Sequence, residues 1–294
     1  MTYPSVPSAF EKYGNHEGTT GMAKIIFSCS RSSRTGIREL RTKSPLLVQR
    51  ALYPDTKLPE MAHVYLMSSA GGVLQGDRIE IAIEAGENTL ARITTQSATK
   101  IYKMDKGYAV QKVNMTAKKG SYLEFVPRQL IPFKSSRFFQ DITINAASDS
   151  TVLYSETVSA GRTASGERFD FDICFLRIRA LDPENRPLFS DVCCIEPSLD
   201  RKETFERLFG GKSLWSTVYI LAPNRGLAGM DKEIGDAIRG SSMLAGCSLL
   251  PNDCGLLVRM LDDSIDRVEE MKSLVTEIVR RSTTITDKKS ERAG

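Results

Sequence analysis

The sequence predicts a mainly β protein, built from stacked or wrapped antiparallel sheets with two helices near the C-terminus. Three observations support this prediction. Short segments rich in β-branched and aromatic residues follow one another from residue 23 to residue 195, and turn-forming clusters such as 118–120 and 147–150 separate them. Helical spacing of apolar residues begins only after residue 231. Short strands at this spacing favour antiparallel sheets over a parallel sheet with crossover helices.

The individual strands are predicted from alternation and from the turns between them. The segment 79–84 shows the pattern clearly, because isoleucine occupies every second position, as in a half-buried strand. Pro54 and Pro59 mark turns between two of the earlier strands. The predicted strands are 23–29, 45–51, 62–68, 79–84, 89–95, 109–116, 121–126, 138–144, 151–158, 169–180 and 187–195.

Two helices are predicted, at 231–244 and 262–281. Gly235 and Gly240 weaken the first, since each costs about 1 kcal/mol relative to alanine inside a helix. The second has apolar residues three to four positions apart, acids at its start and arginines at its end. We interpret residues 1–21 as a flexible leader, residues 22–281 as a single β-rich domain and residues 282–294 as a disordered tail.

Composition excludes several classes of protein. Of the 294 residues, 41% are hydrophobic and 26% charged, as in a soluble globular protein. A net charge of +4 from 40 basic and 36 acidic residues is too small to indicate binding of nucleic acid. There is no apolar run of signal-peptide or membrane-spanning length. We therefore expect a cytoplasmic protein that binds neither membranes nor nucleic acid.

The metal-binding and catalytic residue types are sparse. The six cysteines lack the paired spacing of a structural zinc site, although Cys193 or Cys194, on opposite faces of a strand, could serve as a lone ligand. Only two histidines are present, and His63 lies near no recognisable nucleophile elbow. The run 210–213 resembles the end of a phosphate-binding loop but lacks its first glycine.

Three carboxylates are the candidates for chemistry. Asp77, Glu156 and Asp191 each lie at or inside a predicted strand beside apolar residues. A buried carboxylate must be paired, hydrogen-bonded, protonated or bound to a cation. One interpretation is an ion pair with an arginine, for which Arg78, Arg162 and Arg168 are candidates. The other is binding of a divalent cation by oxygen ligands. Such binding would be weak and exchangeable, because transition-metal ions bind most tightly to imidazole and thiolate groups, which are scarce here.

The sequence leaves two other functions open. A hydrolase with paired carboxylates at Asp77 and Glu156 requires both groups within reach of one substrate in a concave pocket. A β-rich nucleic-acid-binding protein using the basic segment 31–43 requires aromatic residues on the same face. We favour a solvated edge strand for that segment, and neither required pattern is visible in the sequence.

A glycine-rich turn stands out between the strands 62–68 and 79–84. Gly71, Gly72 and Gly76 precede Asp77, and their spacing is typical of a tight connection whose backbone needs positive φ or a close approach. A strand rather than a helix follows, so this turn is not a phosphate cradle. Taken alone, the turn indicates only a hairpin.

Several separated motifs accompany this turn in a fixed order. They are Pro45-Leu46-Leu47-Val48-Gln49-Arg50, Thr99-Lys100, Leu123-Glu124-Phe125-Val126-Pro127, Ser155-Glu156, Gly161-Arg162 and Gly166-Glu167. Together with the glycine turn they resemble the UreD family of urease accessory proteins, called UreH in some organisms, over residues 45–191. The remaining parts of the chain match more loosely.

The resemblance implies a non-catalytic scaffold. Such proteins dock UreF and the GTPase UreG onto apo-urease while Ni²⁺ is delivered, and they hold no tightly bound cofactor. The implied fold is a β-helix-like body with a pair of helices. By motif, Asp77, Glu156 and Asp191 match acids of an internal channel for transient Ni²⁺. Structural roles are implied for the motif residues Gly71, Gly72, Gly76, Thr99, Lys100, Gly161, Arg162, Gly166 and Glu167.

Overall fold

The computed structural model describes residues 6–30, 33–197, 202–223 and 227–283. Of the described residues, 46% lie in strands and 18% in helices, so the predicted dominance of strands is confirmed. Numbered along the described chain, the strands are β1 (Thr20–Cys29), β2 (Thr35–Lys43), β3 (Leu46–Val48), β4 (Ala62–Ser68), β5 (Arg78–Ala85), β6 (Leu90–Thr95), β7 (Thr99–Ile101), β8 (Ala109–Ala117), β9 (Tyr122–Phe125), β10 (Leu130–Pro132), β11 (Arg137–Ala146), β12 (Thr151–Ser159), β13 (Ile173–Leu181), β14 (Pro187–Ile195), β15 (Leu214–Leu221), β16 (Leu244–Leu249) and β17 (Gly255–Asp262).

These strands form two stacked sheets. Within the described residues, sheet I has seven strands in the order β14-β13-β11-β8-β5-β1-β2. Sheet II has ten, with the order β16-β17-β15-β12-β9-β6-β4-β3, and β10 and β7 extend it from β12. Side chains from the two inner faces form a core that includes Ile81, Ile93 and Phe125. The predicted stacked, β-helix-like body is confirmed.

The pairing of the central strands differs from the antiparallel arrangement predicted. Successive long strands alternate between the sheets, with β4, β6, β9 and β12 in sheet II and β5, β8, β11 and β13 in sheet I. Neighbours within each of these two sets are parallel. A parallel pair needs a long crossover, and here the crossover is a strand of the other sheet rather than a helix. Antiparallel pairs occur at the ends, as in β1–β2, β3–β4, β13–β14 and β15–β17.

The described part of the chain contains three α-helices, one more than predicted: α1 (Lys202–Leu208), α2 (Leu227–Arg239) and α3 (Ile265–Ser282). The Ser264 side chain caps α3 by accepting a hydrogen bond from the backbone N–H of Arg267. The predicted helix 262–281 corresponds to α3, with its ends displaced by only a few residues. The predicted helix 231–244 corresponds to α2 but is shifted along the chain, because residues 244–249 form the edge strand β16. Both α2 and α3 pack on the outer face of sheet II.

The predicted flexible leader needs correction. Ser8–Tyr13 forms a short 3-10 helix, and Phe10 is fully buried. Its ring lies 4.9 Å from that of Tyr108 and 5.9 Å from that of Phe139, measured between centroids. A buried aromatic side chain contributes about 2 kcal/mol or more from the hydrophobic effect, which holds this segment on sheet I. Of the predicted tail 282–294, residues 284–294 lie outside the described part of the chain.

Candidate functional site

A layer of polar side chains crosses the space between the sheets. On one side of it lies an apolar cluster around Ile81 and Phe125, and on the other lies a second cluster around Phe138 and Trp215. The inward positions between the two clusters are polar. We call this set the polar layer: Gln111, Gln140 and Asp191 from sheet I, and Glu156, Thr217 and Arg259 from sheet II.

Strand register explains why these side chains meet. Gln140 lies beside Gln111 in the ladder of β11 and β8. In sheet II, Thr217 of β15 lies between Glu156 of β12 and Arg259 of β17. Because inward residues alternate with outward ones along each strand, these positions form a short polar row in each sheet. Asp191 lies apart from Gln140 in sheet I, since the strand between them, β13, contributes the apolar Leu176 and Ile178.

Glu156 lies in the middle of the polar layer. Its side chain accepts hydrogen bonds from Gln140 Nε2 at 3.0 Å and from the Tyr154 hydroxyl at 3.2 Å. Gln111 in turn donates to Gln140 Oε1 at 2.9 Å. Burial raises the pKa of Glu156 to about 7, even though these donors favour the charged form. Glu156 can therefore exist in either charge state near neutral pH.

Asp191 occupies the open edge of the layer, on the outermost strand of sheet I. It accepts a hydrogen bond from the Tyr219 hydroxyl at 2.9 Å and forms an ion pair with Arg259. Its side chain is 24% exposed and that of Arg259 is 59% exposed. The ion-pair interpretation is therefore correct for Asp191, but the partner is an arginine that was not among the three candidates.

Asp77 has a different environment. One carboxylate oxygen accepts the backbone N–H of Thr19 at 2.9 Å, and the other accepts that of Leu74 at 2.8 Å. Gly76 beside it has φ of +77°, and a Cβ there would lie 2.6 Å from the His16 carbonyl oxygen. Asp77 thus closes the glycine turn and fastens the N-terminal segment to it.

Two adjoining cavities follow the polar layer. The inner cavity, about 100 Å³, is lined by Asp77, Gln111, Gln140, Tyr154 and Glu156, among others. The outer cavity, about 430 Å³, is more open and is lined by Glu156, Asp191, Cys193, Tyr219 and Arg259, among others. Glu156 lines both cavities. The structure therefore places one predicted acid in each cavity and the third between them.

The glycines of the motif are explained by close approaches of the backbone. A Cβ on Gly72 would lie 2.5 Å from the carbonyl oxygen of Lys100, which accepts a hydrogen bond from the backbone of Val73. Gly71, Gly72 and Thr99 all line the inner cavity. This arrangement joins the glycine turn to β7 at one wall of that cavity.

A surface loop is held together by the motif residues Gly161, Arg162, Gly166 and Glu167. Arg162 and Glu167 form a two-bonded ion pair, and Glu167 also accepts the backbone N–H of Lys134 at 3.1 Å. Gly166 has φ of +78° at the end of a short 3-10 helix (Thr163–Ser165), and a Cβ on Gly161 would lie 2.8 Å from the Glu167 carbonyl oxygen. These four residues stabilise the loop after β12 without entering the polar layer.

The basic segment is largely paired where it is described. Arg41 and Lys24 both contact Glu39, and the guanidinium of Arg34 lies 3.5 Å from the centre of the Tyr53 ring. This is the pattern of a solvated edge strand, and only the start of the segment at 31–32 lies outside the described residues.

The thiols and histidines add little to the site. Burial raises the pKa of Cys193, which lines the outer cavity, to about 12, so its thiol is neutral. Cys194 is exposed on the opposite face of β14, as predicted. Burial also lowers the pKa of His63. Among the described residues, no three of the His, Cys, Asp and Glu side chains lie close enough together to hold a metal ion.

Sequence reasoning missed Gln140, Gln111 and Arg259. A usable signal was present, because Gln140 interrupts an otherwise apolar inward series from Phe138 to Ile144. Arg259 likewise interrupts the inward series of β17 between Leu257 and Leu261. A polar residue at an inward position costs free energy unless it finds a partner, so such interruptions mark candidate sites.

Known proteins of one family are similar to this chain over most of its length. The model of the family described as UreD urease accessory protein matches residues 20–292. The chain is 38% identical over 254 residues to the urease accessory protein UreD of Cenarchaeum symbiosum, covering 85% of this chain and 89% of that protein. It is 35% identical over 262 residues to UreD 2 of Streptomyces griseus, covering 89% of each. No helix within the described ranges combines the length and apolar character needed to cross a membrane. The chain belongs to the UreD family of urease accessory proteins.

Proposed function

We propose that this protein is a non-catalytic scaffold that docks UreF and UreG onto apo-urease in the cytoplasm and assists the passage of Ni²⁺ to the urease active site. The observation that carries the proposal is the position of Glu156, which lines both cavities of the polar layer. A cation moving along the layer would meet carboxylate, amide and hydroxyl oxygens in succession.

The chemistry of the layer suits transit better than storage. Oxygen groups hold Ni²⁺ less tightly than imidazole or thiolate groups, and the one thiol in the outer cavity is neutral. Weak binding at successive positions allows an ion to enter and also to leave. Ni²⁺ is therefore cargo in this proposal, with no cofactor held permanently.

A carboxylate hydrolase fits the geometry less well. Both oxygens of Asp77 accept backbone hydrogen bonds, so this carboxylate serves the turn and is not free to act as a base or nucleophile. Among the described residues that line the inner cavity, Glu156 then has no second free carboxylate beside it. Asp77 supports the wall of the cavity in our proposal rather than contacting the ion first.

The test is urease activity per assembled complex, measured while Ni²⁺ is titrated. The variant Glu156→Gln keeps the size and hydrogen-bond acceptor of the side chain but cannot become charged. We expect normal co-purification with urease, a several-fold loss of activation at limiting Ni²⁺ and recovery at saturating Ni²⁺. Asp191→Asn should act in the same direction.

Glu184→Gln is a suitable control, because its side chain is 65% exposed in a hairpin and lies outside both cavities. Unchanged activation at low Ni²⁺ in assembled complexes of Glu156→Gln and Asp191→Asn would contradict the transit role. Failure of the wild-type chain to bind a UreF-type partner would contradict the scaffold role.

A further inference from the structure

The outer cavity has a positive charge at its opening. Arg259 of β17, in sheet II, pairs with Asp191 of β14, in sheet I, so the ion pair spans the gap between the sheets where the polar layer reaches the surface. Among the described residues that line this cavity, two have carboxyl groups, Glu156 and Asp191, and one has a guanidinium group, Arg259. Arginine stays protonated at every physiological pH.

This ion pair is unfavourable for a cation that enters. While the guanidinium contacts Asp191, the two charges balance, and that carboxylate is not available to an incoming cation. A divalent ion must compete with the guanidinium for Asp191, and the nearby positive charge of Arg259 opposes its approach. The ion pair therefore disfavours the entry of a divalent cation at the opening of the polar layer.

The arginine has room to turn outward, away from the aspartate. The Arg259 side chain is 59% exposed, and its neighbour across the ladder in edge strand β16 is Gly246, which offers no side chain to confine it. A Cβ built on Gly246 would find no atom within 4 Å, so open space lies beside the guanidinium. Asp191 has a second partner, because it also accepts a hydrogen bond from the Tyr219 hydroxyl at 2.9 Å.

We propose that Arg259 is a latch on the polar layer: its ion pair with Asp191 excludes divalent cations from the outer cavity, and the guanidinium must turn out to solvent before Ni²⁺ passes. This inference rests on the proposed function for the identity of the ion. In the released state two unpaired carboxylates, Asp191 of sheet I and Glu156 of sheet II, line the outer cavity. A largely exposed ion pair contributes little net stability, so the latch opens at low cost.

The latch is tested by binding of Ni²⁺ alone to the purified full chain, measured by equilibrium dialysis. Arg259→Gln removes the charge and keeps a polar side chain. We expect it to bind Ni²⁺ several-fold more tightly than wild type, because Asp191 is then unpaired and the neighbouring positive charge is gone. Arg259→Lys retains the charge and should bind as weakly as wild type.

Two further variants locate the effect. The double variant Asp191→Asn with Arg259→Gln should lose the gain, because the released carboxylate is gone. Arg239→Gln removes an arginine from another exposed ion pair, with Asp236 on α2, and should leave Ni²⁺ binding unchanged. Circular dichroism and the thermal midpoint check that each variant is folded, as expected for the loss of a surface pair.

Equal Ni²⁺ affinity of wild type and Arg259→Gln would overturn the latch. A gain that persists in the double variant would overturn it as well, since the ion would then bind elsewhere. These measurements use the isolated chain, so their failure is separate from a failure of the urease-activation test. A transit role without a latch would still show the Glu156→Gln defect at low Ni²⁺.

Discussion

Glu156 is buried among hydrogen-bond donors, and in the described structure no basic side chain lies within ion-pair distance of it. Burial raises its pKa from 4.5 to about 7. A carboxyl group whose pKa is higher in the folded state than in the unfolded state stabilises folding only while it is protonated. That contribution is complete below pH 4.5 and is lost as the pH rises through 7.

Glu156→Gln should therefore become more stable than wild type as the pH rises. At pH 8 we expect a gain of about 3 kcal/mol in the free energy of unfolding, because each unit of pKa shift corresponds to about 1.4 kcal/mol. Near pH 4.5 the two proteins should be equally stable. Urea unfolding at both pH values measures the difference, and a gain that does not depend on pH would contradict the raised pKa.

Among the elements, α3 depends on a buried ionic network as well as on its apolar stripe. Glu124 of β9 is fully buried and contacts Arg92 of β6, Arg280 of α3 and the Tyr122 hydroxyl. Arg280 also reaches Asp55 at 2.9 Å. Burial by itself raises the pKa of Glu124, but the two guanidinium groups outweigh burial, and the pKa lies below its ordinary value.

Glu124→Gln should be strongly destabilising at neutral pH. Removing the shared charge leaves Arg92 without its partner and Arg280 with Asp55 alone, which costs up to about 3–5 kcal/mol. Because the pKa of Glu124 is lowered on folding, its contribution is present above pH 4.5 and is lost as the pH falls through the folded value. Thermal unfolding should therefore show a large difference at pH 7 that shrinks in acid. Glu277→Gln, in an exposed pair on the same helix, should change stability by less than about 1 kcal/mol.

At the scale of the whole molecule, the open edge of the sandwich is rimmed by exposed apolar residues. Val192 of β14 is 49% exposed and Leu244 of β16 is 57% exposed, and both line the outer cavity. Each belongs to an edge strand with one side unpaired. Exposed apolar side chains on unpaired edges favour association, either with a partner or between copies of the chain.

Replacing Val192 and Leu244 by serine should reduce self-association of the free chain and weaken capture of a UreF-type partner. Light scattering of the purified chain and pull-down from cells that co-express the partner measure the two effects. Leu40→Ser is the matched control, because Leu40 is 41% exposed on β2 at the opposite edge of sheet I. Unchanged capture with Val192 and Leu244 replaced would place the partner on another surface.

The sequence by itself determined the strand-rich class, the long C-terminal helix and the family. Alternation in β5 and the three-to-four spacing in α3 are local patterns, and they depend on which residues must leave water rather than on distant neighbours. The glycine turn could be recognised for the same reason, since Gly76 meets a local need for positive φ.

Only the tertiary structure decided how the strands pair and what the acids do. Alternation looks the same in parallel and antiparallel pairs, so the winding of the chain between two sheets could not be seen locally. Asp77, Glu156 and Asp191 look alike in sequence, yet they cap a turn, join two cavities and pair with Arg259, respectively. Their partners lie on strands distant in sequence, and the state of a carboxylate depends on the charges and donors that the fold brings to it.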